Sequence, residues 1–337
     1  MNMISNVTRR SVSRLLVVTA IALAGHVTTA TAADVTAINF GIIATDSSGA
    51  LKKNWEAFLG DMEKNVGVKI TPFFATDYAG IIEAMRFNKV QVGYFGNKSA
   101  MEAVDRADGE IFAKMIRTDG TEGYNSLLIT HKDSPYKNLN DVIKHTKDIN
   151  FGIGDPNSTS GFLVPSYYVF AKNNINPKTD FKTIRGANHI ANFMAAANKQ
   201  IDVATFNTEE YEKMEQTKAD LVKNIRIVWK SPLIASDPFV WRKDLPPNLK
   251  VKLKEFMLSY GKGAKAAEEK AKIAPIPAGG FAASTDDQLI PIRQLAFFSA
   301  KIKLENDTAM DAAEKNKKIS EINQKLDALN AKLASAK

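Results

Sequence analysis

The sequence predicts an α/β protein made of two α/β lobes with a cleft between them. Three observations carry this reading. Apolar runs of strand length alternate with stretches of helical periodicity, the alternation starts again near residue 124, and 337 residues are enough for about two domains. Strands alternating with helices imply right-handed crossovers and a mainly parallel sheet with helices on both faces. In such sheets ligands sit beyond the carboxyl ends of strands, where helices begin.

In the first lobe, 37–44 reads as a strand and 51–66 as a helix with Leu51, Trp55, Phe58, Leu59 and Met62 on one face. A strand at 68–75 follows, then a helix at 77–88 with Asp77 as its N-cap. Strand 90–95, helix 99–106 and strand 111–116 complete the lobe. The second lobe opens with strand 124–130 and a short helix at 139–145. It continues through strand 148–153, helix 162–170, strand 181–184, helix 189–199, strand 201–205 and helix 209–216. Segments 225–230 and 239–241 read as further strands. The expected lobes are therefore 33–122 with 239–300, and 123–238, followed by a tail at 301–337. That tail places Ile319, Ile322, Leu326, Leu329 and Leu333 at heptad steps. Such a stripe suits an amphipathic helix packed on its own domain or the pairing of two chains into a homodimer, since both bury it.

Residues 1–32 stand apart. Arg9, Arg10 and Arg14 precede an apolar core at 15–25, and Ala30-Thr31-Ala32 follows, the pattern of a cleavable secretory signal peptide. The core is too short for a permanent membrane span. Three of the 45 basic residues and none of the 37 acids lie in this segment, which leaves a charge of +5 without it. The lysines are spread along the chain, which gives a nucleic-acid partner little support. There is no cysteine, so the fold must be held by its core rather than by disulfides.

The most informative segment is Asp155-Pro156-Asn157-Ser158-Thr159-Ser160-Gly161, between the strand ending at Ile153 and the helix starting at Phe162. Three hydroxyls and a run of free backbone N–H groups at a helix N-terminus favour an oxyanion. No Lys or Arg lies within it, so neutral donors would hold the ligand. A loop with an ordinary Ser or Thr N-cap has the same signature. The motifs of catalysis are missing: there is no GxxxxGK[ST], HExxH, G-x-S-x-G or thiol. His131, His145 and His189 share no metal-ligand spacing, and the first two fall in polar, turn-like surroundings where solvation is expected. No metal, cofactor or catalytic residue is expected, and a binding protein is favoured over an enzyme.

Several blocks carry a resemblance. They are Asp77-Tyr78-Ala79-Gly80-Ile81-Ile82, Met85-Arg86-Phe87-Asn88-Lys89-Val90, Ser99-Ala100-Met101-Glu102-Ala103-Val104-Asp105-Arg106, the stretch 154–165, Ala197-Asn198-Lys199-Gln200 and Asp237-Pro238. With them the chain resembles, over almost its whole length after residue 32, the periplasmic phosphonate-binding proteins of phosphonate ABC transporters. The resemblance implies a type II periplasmic binding protein fold, two lobes closing like a hinged clamp, and delivery of 2-aminoethylphosphonate or a related phosphonate to an inner-membrane permease. It implies that Ser158, Thr159, Ser160, Tyr78 and His189 meet the phosphonate oxygens, that Glu209 and Asp237 meet the ammonium, and that Tyr124 lines the cleft. Taken singly these residues have plainer readings: Glu209 as a helix-start acid, Asp237 as a turn residue, Tyr78 as a core aromatic, His189 as a helix-start or surface residue. Asn125, Tyr94-Phe95 and Ile190 depart from the family pattern and bear on the apolar wall of the cleft. Other ligands of the same fold remain open: phosphite, phosphate, or ferric ion through the adjacent Tyr167 and Tyr168, which also suit packing. A secreted hydrolase of phosphorus compounds and a ligand-presenting partner of a chemoreceptor are the further alternatives.

Overall fold

The alternating apolar runs form two separate sheets in the computed structural model, which describes residues 35–276 and 278–335. The expected signal peptide at 1–32 lies outside the described residues. The first sheet begins with β1 (Ala37–Ile42), β2 (Lys69–Phe74), β3 (Val92–Tyr94) and β4 (Gly109–Arg117). The chain leaves through β5 (Gly123–Tyr124) and builds the second sheet from β6 (Ser126–His131), β7 (Asn150–Ile153), β8 (Thr183–Gly186), β9 (Val203–Asn207) and β10 (Ile225–Lys230). It returns through β11 (Ile234–Ala235) to β12 (Pro238–Arg242) and β13 (Ala278–Ala283), which rejoin the first sheet. The strand orders are β13-β4-β12-β3-β1-β2 and β10-β6-β9-β7-β8, while β5 and β11 pair with each other as a two-stranded ribbon. Tyr124 stands opposite Ile234 in that ribbon, so both crossings between the sheets are tied together at one place.

The sheets are mixed rather than mainly parallel. β1 runs parallel to β2 and β3, but β12 inserts antiparallel between β3 and β4, and β13 adds antiparallel to β4. In the second sheet β7 is parallel to β8 and β9, whereas β6 runs antiparallel to β9 and to β10. The reason lies in the ribbon. A strand that enters from the other sheet has no crossover helix to reverse it, so it joins its neighbours antiparallel.

Each sheet is packed as its sequence pattern requires. Leu51, Trp55, Phe58, Leu59 and Met62 are all buried on the inner face of the Ser48–Val66 helix. Phe58 packs edge-on to Tyr260 and tilted against Phe281, and Phe40, Trp55 and Phe239 complete an aromatic core under the first sheet. Full burial of such a ring is worth about 1.5–3 kcal/mol. The second sheet is covered on both faces, Leu128 and Phe151 facing one cluster, Leu127, Ile129 and Phe206 the other. That alternation follows from the period of two along a strand. His131 is 8 % exposed at the end of β6, so its expected solvation does not hold; the turn-like residues begin just after it. His145 is exposed.

The tail is a helical hairpin that begins before residue 301. The Ile290–Glu305 helix is followed by the Ala312–Ser335 helix. Leu326 is buried, and Asn323 and Asn330 bond to Lys301 and Gln294 of the preceding helix. The heptad stripe is thus packed in part on a helix of the same chain, with Ile319, Ile322, Leu329 and Leu333 half-buried.

Candidate functional site

Tyr78, Tyr124, Ser158, Thr159, Ser160, His189, Glu209 and Asp237 line one small cavity, although they lie up to 159 positions apart in the chain. All eight are buried. Helix starts bring them together. Tyr78 is the first residue of the Tyr78–Arg86 helix, behind its N-cap Asp77. His189 opens the His189–Ala197 helix behind Asn188, and Glu209 is second in the Thr208–Thr217 helix behind Asn207. The Asn97–Arg106 helix begins at the same cavity, behind Gly96. Ser158 caps a π-helical turn, Thr159–Leu163, which starts three residues earlier than periodicity suggests and so carries Thr159 and Ser160 in its first turn. Five sets of helix-start N–H groups and the positive ends of their dipoles therefore surround one space.

One end of the cavity is a cradle of neutral donors. Ser158 Oγ accepts from the Gly161 N–H at 2.9 Å and lies 3.4 Å from His189 Nε2. Thr159 Oγ1 accepts from the Lys98 N–H at 2.8 Å, and Ser160 Oγ accepts from Asn207 Nδ2 at 3.3 Å. Lys98 itself points away, its ammonium 3.2 Å from Asn157 and 3.4 Å from Glu102. The loop closes on two glycines: the Gly154 N–H donates to the Gly161 carbonyl at 3.0 Å, and a Cβ on Gly154 would stand 2.6 Å from the Gly161 Cα. The Tyr78 N–H donates to Asp155 at 3.1 Å, which ties the first sheet's helix to this loop. Burial drives His189 down to about 4, so its ring is neutral at physiological pH. His189 Nδ1 is buried with no hydrogen-bond partner among the described residues. Burial, and then the charge of Asp237, hold Tyr78 well above the usual tyrosine range, so it too stays a neutral donor.

The other end is acidic. Asp237 accepts from the Tyr124 hydroxyl at 2.9 Å, from the Tyr94 hydroxyl at 3.2 Å and from Asn97 Nδ2 at 3.3 Å. Burial nevertheless pushes Asp237 up to about 7, against the pull of these donors. Glu209 is raised well above the carboxylate range by burial and then by the charge of Asp237, with Arg117 opposing. Arg117, at the end of β4, is 3.8 Å from Glu209, beyond hydrogen-bond length, and is engaged with Glu212. Glu210, raised chiefly by burial, shares Lys213 with Asp46 at 3.3 and 3.2 Å. Glu209 and Asp237 are thus left with no cation in hydrogen-bond contact among the described residues, and Glu209 Oε1 has no hydrogen-bond partner there. This end of the cavity suits a small cation with several N–H donors.

Sequence reasoning missed Asn97, Arg117, Asn207, Glu210 and Thr45. The available signals were position and caps: Arg117 is a lone cation at the carboxyl end of a strand, and Asn207 is the N-cap of the helix that supplies Glu209. Of the three departures from the family pattern, Tyr94 lines the cavity. Asn125 instead bonds the Ser231 carbonyl at 2.9 Å, and Ile190 packs with the second sheet's Phe193 and Phe206 cluster, so neither is among the lining residues. Tyr167 and Tyr168 pack on each other, on Phe298 and on Trp229, with Lys172 over both rings, an arrangement of packing residues. Among the described residues there is no acid, histidine or cysteine cluster able to hold a metal ion, and no helix long and apolar enough to cross a membrane.

Comparison with known proteins shows the family. Residues 40–289 match the family model for the periplasmic substrate-binding protein of phosphonate ABC transporters. The chain is 52 % identical to the phosphonates-binding periplasmic protein of Escherichia coli (strain K12) over 294 residues, 87 % of this chain and 86 % of that protein. It superposes with a TM-score of 0.86 on the crystal structure of a binding component of an ABC phosphonate transporter from Pseudomonas aeruginosa, at 48 % identity, covering 90 % of this chain and 99 % of that one. The type II binding fold is shared more widely: a Prochlorococcus marinus protein solved with methylphosphonate superposes with a TM-score of 0.68 at 20 % identity. These relatives are transport proteins and not enzymes. The chain belongs to the phosphonate-binding family of periplasmic substrate-binding proteins and is the phosphonate-binding component of an ABC transporter.

Proposed function

We propose that the protein binds 2-aminoethylphosphonate in the periplasm, after export through a cleaved signal peptide, and delivers it to an ABC permease. One observation carries the choice of ligand: a single cavity has a neutral oxyanion cradle at one end and two undercompensated carboxylates, Glu209 and Asp237, at the other. Ser158, Thr159, Ser160, Tyr78 and His189 hold the phosphonate oxygens, and Glu209 and Asp237 take the ammonium. Tyr124 and Tyr94 orient Asp237 through their hydroxyls. A zwitterion places opposite charges at opposite ends, whereas a phosphate or phosphite dianion would leave the two buried carboxylates, Glu209 and Asp237, facing it with no ligand cation between. Closure of the two sheets about the β5–β11 ribbon buries the ligand, and the closed form is the one the permease receives.

Calorimetric titration of the protein lacking residues 1–32 with 2-aminoethylphosphonate, ethylphosphonate and phosphate tests this. The aminated ligand is expected to bind most tightly by at least tenfold. A preference for phosphate or for the unaminated phosphonate rejects the assignment of the acidic end.

A further inference from the structure

A second chamber of about 30 Å3 adjoins the acidic end of the cavity, and Thr45, Tyr94, Glu209 and Glu210 form the wall the two spaces share. The rest of its lining is mostly apolar, formed by Leu51, Trp55, Met115, Pro275 and Ile276 with Asn54. The Trp55 and Tyr94 rings stand 5.1 Å apart, inclined at 42°, at the junction. Lys213, at the edge of the chamber, is already paired with Asp46 and Glu210.

We infer that the protein takes N-methylated aminophosphonates as ligands, with the N-methyl group in this chamber. The inference rests on the ammonium assignment to Glu209 and Asp237. Its physical basis is threefold. The volume exceeds the roughly 10–15 Å3 that one water needs, and a methyl group is of similar size. Aromatic faces attract the positive hydrogens of a methylated ammonium, the principle of aromatic cages for such groups. A secondary ammonium keeps two N–H donors, one for each carboxylate, so one methyl is gained without leaving Glu209 or Asp237 unpaired. A quaternary ammonium loses every N–H donor and leaves both Glu209 and Asp237 without a hydrogen bond from the ligand.

The test is calorimetric titration of the protein lacking residues 1–32 with 2-aminoethylphosphonate, its N-methyl and its N,N,N-trimethyl analogues. The N-methyl ligand is expected to bind within threefold of the primary amine or more tightly, and the trimethyl ligand at least tenfold more weakly than the N-methyl one. A tenfold or greater loss on the first methylation, with the primary amine still bound, overturns the chamber assignment and leaves the function standing. Equal binding of the N-methyl and trimethyl ligands also overturns it. No binding of the primary amine overturns the function and this inference together. Ile276→Phe fills the chamber and is expected to weaken the N-methyl ligand at least tenfold while moving the primary amine less than threefold; unchanged N-methyl binding in a folded variant overturns the inference. If that variant does not fold, the ligand series on the unaltered protein decides.

Discussion

The two ends of the ligand cavity solve opposite electrostatic problems by opposite means. On the proposed function the cradle at Ser158–Ser160 would hold an anion with neutral hydroxyls, backbone N–H groups and helix dipoles, while Lys98 is turned away to Asn157 and Glu102. The end at Glu209 and Asp237 places two carboxylates in a buried space, and burial lifts both toward the neutral form. Most polar groups of the cradle already have partners, His189 Nδ1 being the exception among the described residues, whereas the acidic end carries the cost of buried carboxylates until a cation arrives. On the proposed function, affinity for the phosphonate group and discrimination for the amine would reside in different residues and respond to different perturbations.

The largest expected effect separates them directly. Asp237→Asn and Glu209→Gln each remove a charge-assisted hydrogen bond worth about 1.5–3 kcal/mol, so 2-aminoethylphosphonate is expected to weaken by about 10- to 150-fold in calorimetric titration. Ethylphosphonate, which has no ammonium, is expected to move less than threefold or to improve. Equal losses for the two ligands would break the comparison, because the carboxylates would then be holding the site's shape rather than reading the amine.

A smaller effect follows from pH. Asp237 sits at about 7 in the ligand-free cavity, raised by burial, so the acidic end carries a proton at pH 6 that an ammonium must displace. Affinity of the unaltered protein for 2-aminoethylphosphonate, relative to that of Asp237→Asn for the same ligand, is expected to rise by about tenfold from pH 6 to pH 8, and this ratio cancels the ligand's own titration. A ratio that stays flat refutes the proton displacement. The sign for stability is the reverse. A raised carboxylate contributes stability that is fully present below its ordinary value of 3.8 and is lost as pH rises through about 7, so the ligand-free protein should melt lower at pH 8 than at pH 6 on this account. His189 acts in the other window: it is depressed to about 4, and its contribution is lost as pH falls from about 6.5 toward that value.

The cradle was legible in the sequence and the acidic end largely was not, for a physical reason. An oxyanion site built from one loop and one helix start is local, so Ser158, Thr159 and Ser160 can be read from a single strand–loop–helix stretch. The acidic end is assembled from β4, the ribbon, β12 and the Thr208–Thr217 helix, and Arg117, Asn97 and Tyr94 acquire their roles through contacts made across more than 90 residues. Glu209 and Asp237 were found through resemblance, not through local pattern. The same split holds for the fold. Helices with a clear apolar stripe, such as Ser48–Val66, are readable from periodicity, whereas the antiparallel insertion of β12 depends on where the chain crosses, which no local period encodes. The helix starting at Thr159 rather than Phe162 is an intermediate case: its first turn is polar because it faces the cavity, so the apolar period begins one turn late.

The smallest expected effect sharpens the comparison from the cradle side. Ser158→Ala removes a neutral hydroxyl that accepts from the Gly161 N–H and meets His189 Nε2. A neutral hydrogen bond is worth about 1 kcal/mol, so both 2-aminoethylphosphonate and ethylphosphonate are expected to weaken by the same factor of about five. The loss is modest because the backbone N–H groups of the Thr159–Leu163 turn remain, and the equality follows because both ligands present the same phosphonate oxygens to them. Freed of its acceptor, the Gly161 N–H becomes available, which offsets part of the loss. If Ser158→Ala instead discriminated between the two ligands, the cradle and the acidic end could not be independent, and the Tyr124 hydroxyl, which interacts with both Thr159 and Asp237, would have to be treated as coupling them.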